Sequence, residues 1–356
     1  MLKGIFSKII YLFYVLIIVA VALEIFLRFF SPVPVRLKGN EVVLPKNQKY
    51  TLPNEKFSKI SKNAIHTKNS VGFRGEEWDA NSKRTKIMFV GGSTTECFFI
   101  DDSKHWPFLV SKKLGSQFLV NNAGLNGHST KGHISLLNGY LSELKPDFAF
   151  FLIGINDLAT TENGGNDFDA KLTKKNAEYY VLKIEEYSRL VNLIHSFYRS
   201  YQAFKLGVRD NAEWTLKKQN TQKYLSQDEM SKVLIKHERA QTQYADRVMS
   251  LINICKKNTV KPIFITQPLL FGEAIDPTTG IDLGKYEIYN MSGNQYFQKL
   301  EIYNQTVREL CKEQNLKCID LAKLLPKDSK YFFDDMHFSD GGCEKVSEII
   351  VENWKN

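Results

Sequence analysis

Ser93 and His337 are the residues with which this chain could do nucleophilic chemistry. Ser93 stands in Val90-Gly91-Gly92-Ser93-Thr94-Thr95, a glycine turn that follows a short apolar run. His337 stands near the C-terminus in Asp334-Asp335-Met336-His337. A serine hydroxyl is a weak nucleophile until a base takes its proton. The base in turn needs an acceptor that fixes its tautomer and stabilises its charge, and the oxyanion that forms needs donors aimed at it. Asp334, three residues before His337, is spaced to fold back onto Nδ1 and leave Nε2 facing Ser93; Asp335 is the neighbouring carboxylate that competes for the role. Two further segments carry donors. Asn121-Asn122-Ala123-Gly124 offers the Gly124 N–H, and Gly154-Ile155-Asn156-Asp157 offers the Asn156 side-chain amide. With the Ser93 amide they would complete an oxyanion hole, and the set as a whole points to acyl transfer.

Each part also has an ordinary structural use. Ser93-Thr94-Thr95-Glu96 fits a helix capping box, S-x-x-E. Gly124 fits a turn that needs positive φ, Asn156 an Asx turn or helix cap, and the aspartate pair a solvated surface cluster. A phosphate-cradling loop is disfavoured, because no Gly-Lys-Ser/Thr follows the glycines. His66, His105, His128, His133, His195 and His237 lack a partner pattern that implies catalysis. His128 and His133 are five apart, which suits two ligands on one helix face poorly. No metal and no cofactor is expected. The five cysteines show no zinc spacing; Cys311 and Cys318 could pair in an oxidising compartment, or stay as buried thiols.

The elements that must position these groups alternate along the chain. Apolar runs at 86–90, 117–122, 147–155, 261–267 and 317–321 read as strands, the third apolar almost throughout, as expected where both faces are covered. Helical spacing marks 106–114, 130–144, 295–314 and 342–354. Alternation of this kind predicts a parallel α/β sheet with helices on both faces, its strand ends and its chemistry on one edge. Residues 158–258 interrupt the rhythm and read as a helical insert, long for a connection. Residues 31–85, rich in Pro, Lys and Asn, read as a stalk and lead-in that becomes ordered near Val71-Gly72-Phe73-Arg74-Gly75. The expected division is therefore an anchor at 1–30, this stalk, and a catalytic domain at 86–356.

The N-terminus reads IIYLFYVLIIVAVALEIFLRFF from Ile9 to Phe30, with the reach of the ~20 residues that a helix needs to cross a bilayer. Glu24 and Arg28 stand four apart near its far end, where a pair is tolerable. The rival is a cleaved signal peptide with Ala20-Val21-Ala22 as its site, against which apolar character resumes at once. A short tail before a single anchor would leave the large domain outside the cytoplasm. The formal net charge of +9, spread along 356 residues, favours anionic surfaces such as lipid headgroups or acidic polysaccharide. No compact basic block or nucleic-acid motif is present, so no nucleic-acid partner is expected.

In their order and chemistry, the four segments around Ser93, Gly124, Asn156 and Asp334–His337 resemble the SGNH hydrolases, the group that includes GDSL-type lipases and esterases. The resemblance implies a flavodoxin-like three-layer α/β/α sandwich. It also implies Ser93 as nucleophile, His337 as base, Asp334 as its partner, and Ser93, Gly124 and Asn156 as oxyanion donors. It covers roughly 86–157 and 261–356. Many members carry Asp before the serine, where this chain has Gly92; that is similar to membrane-anchored bacterial members with a Gly-Gly-Ser turn, and by analogy alone it points to removal of acetyl groups from glycans. The expected substrate is an acylated glycan, with a lipid ester second. An O-acyltransferase of the same chemistry and a non-catalytic glycan-binding or assembly protein stand as alternatives.

Overall fold

The computed structural model describes residues 2–30, 37–38, 41–163, 180–181, 184–185, 187–205, 213, 215–219 and 224–355. They belong to two compact units, Met1–Val43 with Asp169–Asp210, and Leu44–Phe168 with Asn211–Asn356.

The larger unit is built on a six-stranded sheet. Its N-terminal part is a hairpin of β1 (Gln48–Pro53) and β2 (Asn63–Lys68), then β3 (Arg74–Gly75). The parallel strands follow as β4 (Thr85–Gly91), β5 (Phe118–Asn122), β6 (Phe148–Ile153), β7 (Lys261–Thr266) and β8 (Cys318–Ile319). In space they run β8-β7-β6-β4-β5-β3, parallel except for the antiparallel edge strand β3. This is the doubly wound order in which the first parallel strand lies between the second and the third. The sheet reverses direction of growth between β4 and β6, and ligands sit off the carboxyl ends of the strands at such a point.

α1 (Leu2–Phe30) belongs to the smaller unit. The larger unit holds α2 (Ser93–Glu96), α3 (Trp106–Leu114), α4 (Thr130–Leu144) and α5 (Ile155–Asn163). α6 (Arg189–Lys205) again belongs to the smaller unit. α7 (Gln227–Lys257), α8 (Gly293–Glu313) and α9 (Asp340–Lys355) belong to the larger one, with a single helical turn at Leu321–Leu324. α3 packs with α9, and α4, α7 and α8 pack together, the two helical layers that right-handed crossovers in this strand order require. The parallel sheet with helices on both faces expected from the strand–helix alternation, and the flavodoxin-like α/β sandwich that the resemblance implies, are thus the fold. β6 stops at Ile153 rather than at 155, because Gly154 takes φ +124° and the chain turns into α5.

Two boundaries need correction. The insert expected at 158–258 does not form one piece. α7, within it, is a 31-residue helix whose Tyr244, Val248, Leu251, Ile252 and Cys255 are buried at helical spacing; it is the crossover from β6 to β7, a core element of the sandwich. Residues 164–179 and 206–212 of the expected insert lie outside the described residues. The stalk expected over 31–85 is also too long. From Leu44 onward the chain belongs to the larger unit, with Ala64, His66 and Lys68 buried alternately along β2 and Arg74 and Gly75 paired to Asn122 and Asn121 at the sheet edge. Pro32 and Pro34 lie outside the described residues.

In the smaller unit α1 includes an apolar stretch, Ile5–Phe30, long and apolar enough to cross a membrane, a property that signal sequences share. α6 packs against α1.

Candidate active site

Ser93 is the first residue of α2, directly after β4 and the Gly91-Gly92 turn. The capping box expected as its ordinary use does not form. Gly92 occupies the cap position with no side-chain hydrogen bond, and the Ser93 hydroxyl instead donates to His337 Nε2 at 2.7 Å. On the other side of the ring His337 Nδ1 lies 2.6 Å from Asp334 Oδ2. A carboxylate only accepts, so Nδ1 carries the proton and Nε2 is free to take one.

The histidine end is built by a short local hairpin. Phe332 bridges Phe338, and the Phe333 N–H donates to the His337 carbonyl at 3.0 Å. Inside this loop Asp334 Oδ1 accepts from the Met336 and His337 amides at 2.9 and 2.6 Å, which orients the carboxylate. The Phe333 ring stacks on the imidazole at 5.5 Å between centroids and 8° between planes. Burial works against charge on His337, but the Asp334 carboxylate and its hydrogen bond outweigh it and raise the imidazole above its ordinary value. Asp335 points elsewhere. It is buried, accepts from the Tyr296 hydroxyl at 3.1 Å, and is pushed up by that burial and by the Asp334 charge.

Asn156 lies in the first turn of α5, off the end of β6, so it and Ser93 flank the point where the sheet reverses. Its Nδ2 donates to the His128 carbonyl at 2.9 Å, which leaves a second N–H on the same nitrogen. A Cβ at Gly92 would come within 2.0 Å of that nitrogen, so the absence of a side chain at position 92 is what lets Asn156 approach the serine turn. The adjacent Asp157 has a structural task. It accepts from Thr130 N and Oγ1, at 3.1 and 2.5 Å, and from Arg247 at 3.1 Å, tying the starts of α4 and α5 to α7.

Gly124 departs from the expectation. Its N–H donates to Asn122 Oδ1 at 2.9 Å, and a Cβ there would meet the Glu96 amide nitrogen at 2.4 Å. It is a close-packing position against α2, and its amide is engaged by Asn122. Gly127, three residues further on, takes φ +78° with open space where a side chain would begin.

Sequence reasoning missed the groups that hold the serine end. Glu96, the last residue of α2, accepts the Asn126 amide on Oε2 at 2.7 Å and pairs through Oε1 with Lys68 at 2.8 Å. Lys68 is buried, and that burial lowers its pKa. Arg74, fully buried, donates to the carbonyls of Glu96, Cys97 and Ile100 at 2.7–2.8 Å and pairs with Asp102 at 2.7 Å. His66 is held far below its ordinary value by burial, with Arg74 and Lys68 adding to the effect, and contributes no charge. The signals were present, as an S-x-x-E match and an Arg in a Gly-Phe-Arg-Gly turn, but each partner is remote in sequence.

Beside Ser93 and His337 opens a slot of about 300 Å³, its mouth included, walled by Phe98, Phe99, Ile100 and Phe333. Cys97 also lines it; all five cysteines, Cys311 and Cys318 among them, are free thiols. Neither a protein-family model nor a curated protein matches the chain. Solved structures do match. The acetyl xylan esterase AlAXEase is 15% identical with a TM-score of 0.42, over 75% of this chain and 98% of that one. A GDSL-like lipase from Bacteroides thetaiotaomicron VPI-5482 is 11% identical with a TM-score of 0.40, over 78% and 92%.

Proposed function

We propose that the chain is a serine ester hydrolase. The observation that carries this reading is the continuous relay from the Ser93 hydroxyl through His337 to Asp334, with separations of 2.7 and 2.6 Å. In this reading His337 takes the proton as Ser93 Oγ attacks an ester carbonyl, and Asp334 stabilises the imidazolium. The Ser93 amide in the first turn of α2 and the second N–H of Asn156 hold the oxyanion. Collapse expels the alcohol, which takes its proton from His337. Water, activated by the same histidine, then releases the acyl group from Ser93.

The walls of the slot support an apolar acyl group, since Phe98, Phe99 and Phe333 line it beside Ser93 and His337. An O-acetyl ester on a glycan is the preferred substrate, a lipid ester second. The length and apolarity of α1 support a membrane anchor, and a short tail before a single anchor is the ground for placing the larger unit outside the cytoplasm, where acylated glycans occur. The basic surplus suits either. Turnover of p-nitrophenyl acetate and of acetylated xylan by the whole chain, with Ser93→Ala as control, tests the proposal. Activity that survives in folded Ser93→Ala removes the serine mechanism. Transfer of acetyl to an added sugar in preference to water makes the chain an acyltransferase.

A further inference from the structure

The carboxylate that interrupts the apolar run of α1 has a built set of partners. Glu24 accepts from the Ser188 hydroxyl at 2.8 Å and from the amides of Arg189 and Leu190 at 3.1 and 3.0 Å. Those are donors at the start of α6 that have no partner within the helix. Ser188 in turn accepts from the Val191 amide at 3.2 Å. Arg28, one turn along α1, donates to Glu24 at 3.1 Å and to the Tyr187 carbonyl at 3.2 Å. The charged pair near the far end of the span, Glu24 and Arg28, thus receives the N-terminus of α6. A carboxylate at this depth is costly when unpaired and acceptable when it meets several donors.

The remainder of α6 carries a stripe that water does not suit. Ile194, Phe197, Tyr198 and Tyr201 are 60, 67, 56 and 59% exposed. Their spacing is i, i+3, i+4 and i+7, so they share one face, and exposed Tyr187, at 72%, stands seven residues before Ile194. The polar side of the helix is satisfied inward. Asn192 is buried and donates to Glu185, and His195 meets the other Glu185 oxygen at 2.5 Å.

We infer that α6 is a membrane-interface helix. Its Ile194–Phe197–Tyr201 face lies in the boundary between headgroups and acyl chains of the bilayer that α1 crosses. The inference rests on the reading of α1 as a span. Lipid, rather than a protein partner, is the occupant because the stripe belongs to the same unit as α1, whose own apolar side chains are exposed along its length. Depth agrees as well. Glu24 is six residues before Phe30, about 9 Å at 1.5 Å per residue, so α6 starts near the end of the span rather than at its middle. Tyrosine and phenylalanine are the side chains that favour this zone.

The test uses the full chain reconstituted in phosphatidylcholine–phosphatidylglycerol vesicles with brominated acyl chains, which quench tryptophan on contact. Phe197→Trp and, in mid-span, Leu16→Trp are each compared with the parent chain. The inference expects the added Phe197→Trp fluorescence to be lost most with bromines near the headgroup end, and that of Leu16→Trp with bromines near the bilayer centre. Loss at 16 without loss at 197 overturns the interface helix and leaves the span, and a blue-shifted but unquenched signal at 197 assigns the face to protein. No loss at either position removes the span and the inference with it. None of these outcomes touches the relay of Ser93, so esterase turnover in the same vesicles is read separately.

Discussion

The two ends of the relay are built in opposite ways. The histidine end is local. Asp334 and His337 are three residues apart, the backbone between them donates to the same carboxylate, and one hairpin closes the loop. The serine end is assembled from a distance. α2 is a single turn, Ser93–Glu96, and what holds it comes from β2, β3 and the 124–128 loop: Lys68 on Glu96, Arg74 on three carbonyls of 96–100, and Glu96 on Asn126; the same loop receives Asn156 at His128. A base can be oriented by its own loop because it needs one acceptor. A nucleophile that must also meet its oxyanion donors needs several segments in register.

The largest effects should come from the relay, where both ends are required. Ser93→Ala and His337→Ala should each lower kcat by ~10⁴-fold or more with circular dichroism unchanged, since triad members act as a unit. Asp334→Asn should approach that loss, because it presents the wrong acceptor to Nδ1. Asp335→Asn, which changes a contact with Tyr296, should cost far less. If the two rank the other way in a kcat assay, the histidine end has been assigned to the wrong carboxylate.

Next come the contacts that make the serine end a meeting of segments. Asn156→Ala should lower kcat by ~10²–10³-fold with little change in KM, as for a lost oxyanion donor. Gly92→Ala should cost a similar factor although it removes no functional group, because its Cβ takes the space of Asn156 Nδ2. The double variant should be little worse than either single one. Losses that multiply would separate Gly92 from Asn156 and break that part of the account.

Stability should follow the same asymmetry. Lys68→Met leaves Glu96 buried without its cation, a change that costs about 3–5 kcal/mol when a buried pair is broken. Urea unfolding should read that loss; a midpoint within error of the parent would show that the buried pair does not brace α2. The smallest effect is on pH. His337 is raised above about 6.5, so turnover should rise with pH through a midpoint above that value, since only the neutral imidazole accepts the serine proton. The stability that the Asp334–His337⁺ pair supplies runs the other way. It is present below the unfolded histidine value and lost as pH rises through the folded one. A turnover midpoint below the ordinary histidine range would contradict the pairing.

This difference also sets what could be read from the chain. Asp334 and His337 were legible because their relation is a spacing of three residues, and β4, β6 and β7 because each is an unbroken buried run between turns. Ser93 was legible only as an ambiguity between cap and nucleophile, which the His337 contact resolves against the cap. The contacts of Gly124 were not legible, because its close approach to Glu96 and its bond to Asn122 exist only once β5 and α2 pack. The hairpin and Arg74 hid in a Pro- and Lys-rich stretch whose inward residues, His66, Lys68 and Arg74, are polar and give no hydrophobic alternation. α7 passed for part of an insert because 31 residues of helix exceed an ordinary crossover, although its buried stripe is that of a core helix.

The measurement closest to the central claim is covalent capture of the nucleophile. The whole chain is treated with a fluorophosphonate and digested, and the modified peptide is read by mass spectrometry. A single adduct on Ser93 is expected, formed slowly in His337→Ala and absent in Ser93→Ala. An adduct on another residue, or none on Ser93 in a chain that turns over p-nitrophenyl acetate, would contradict it.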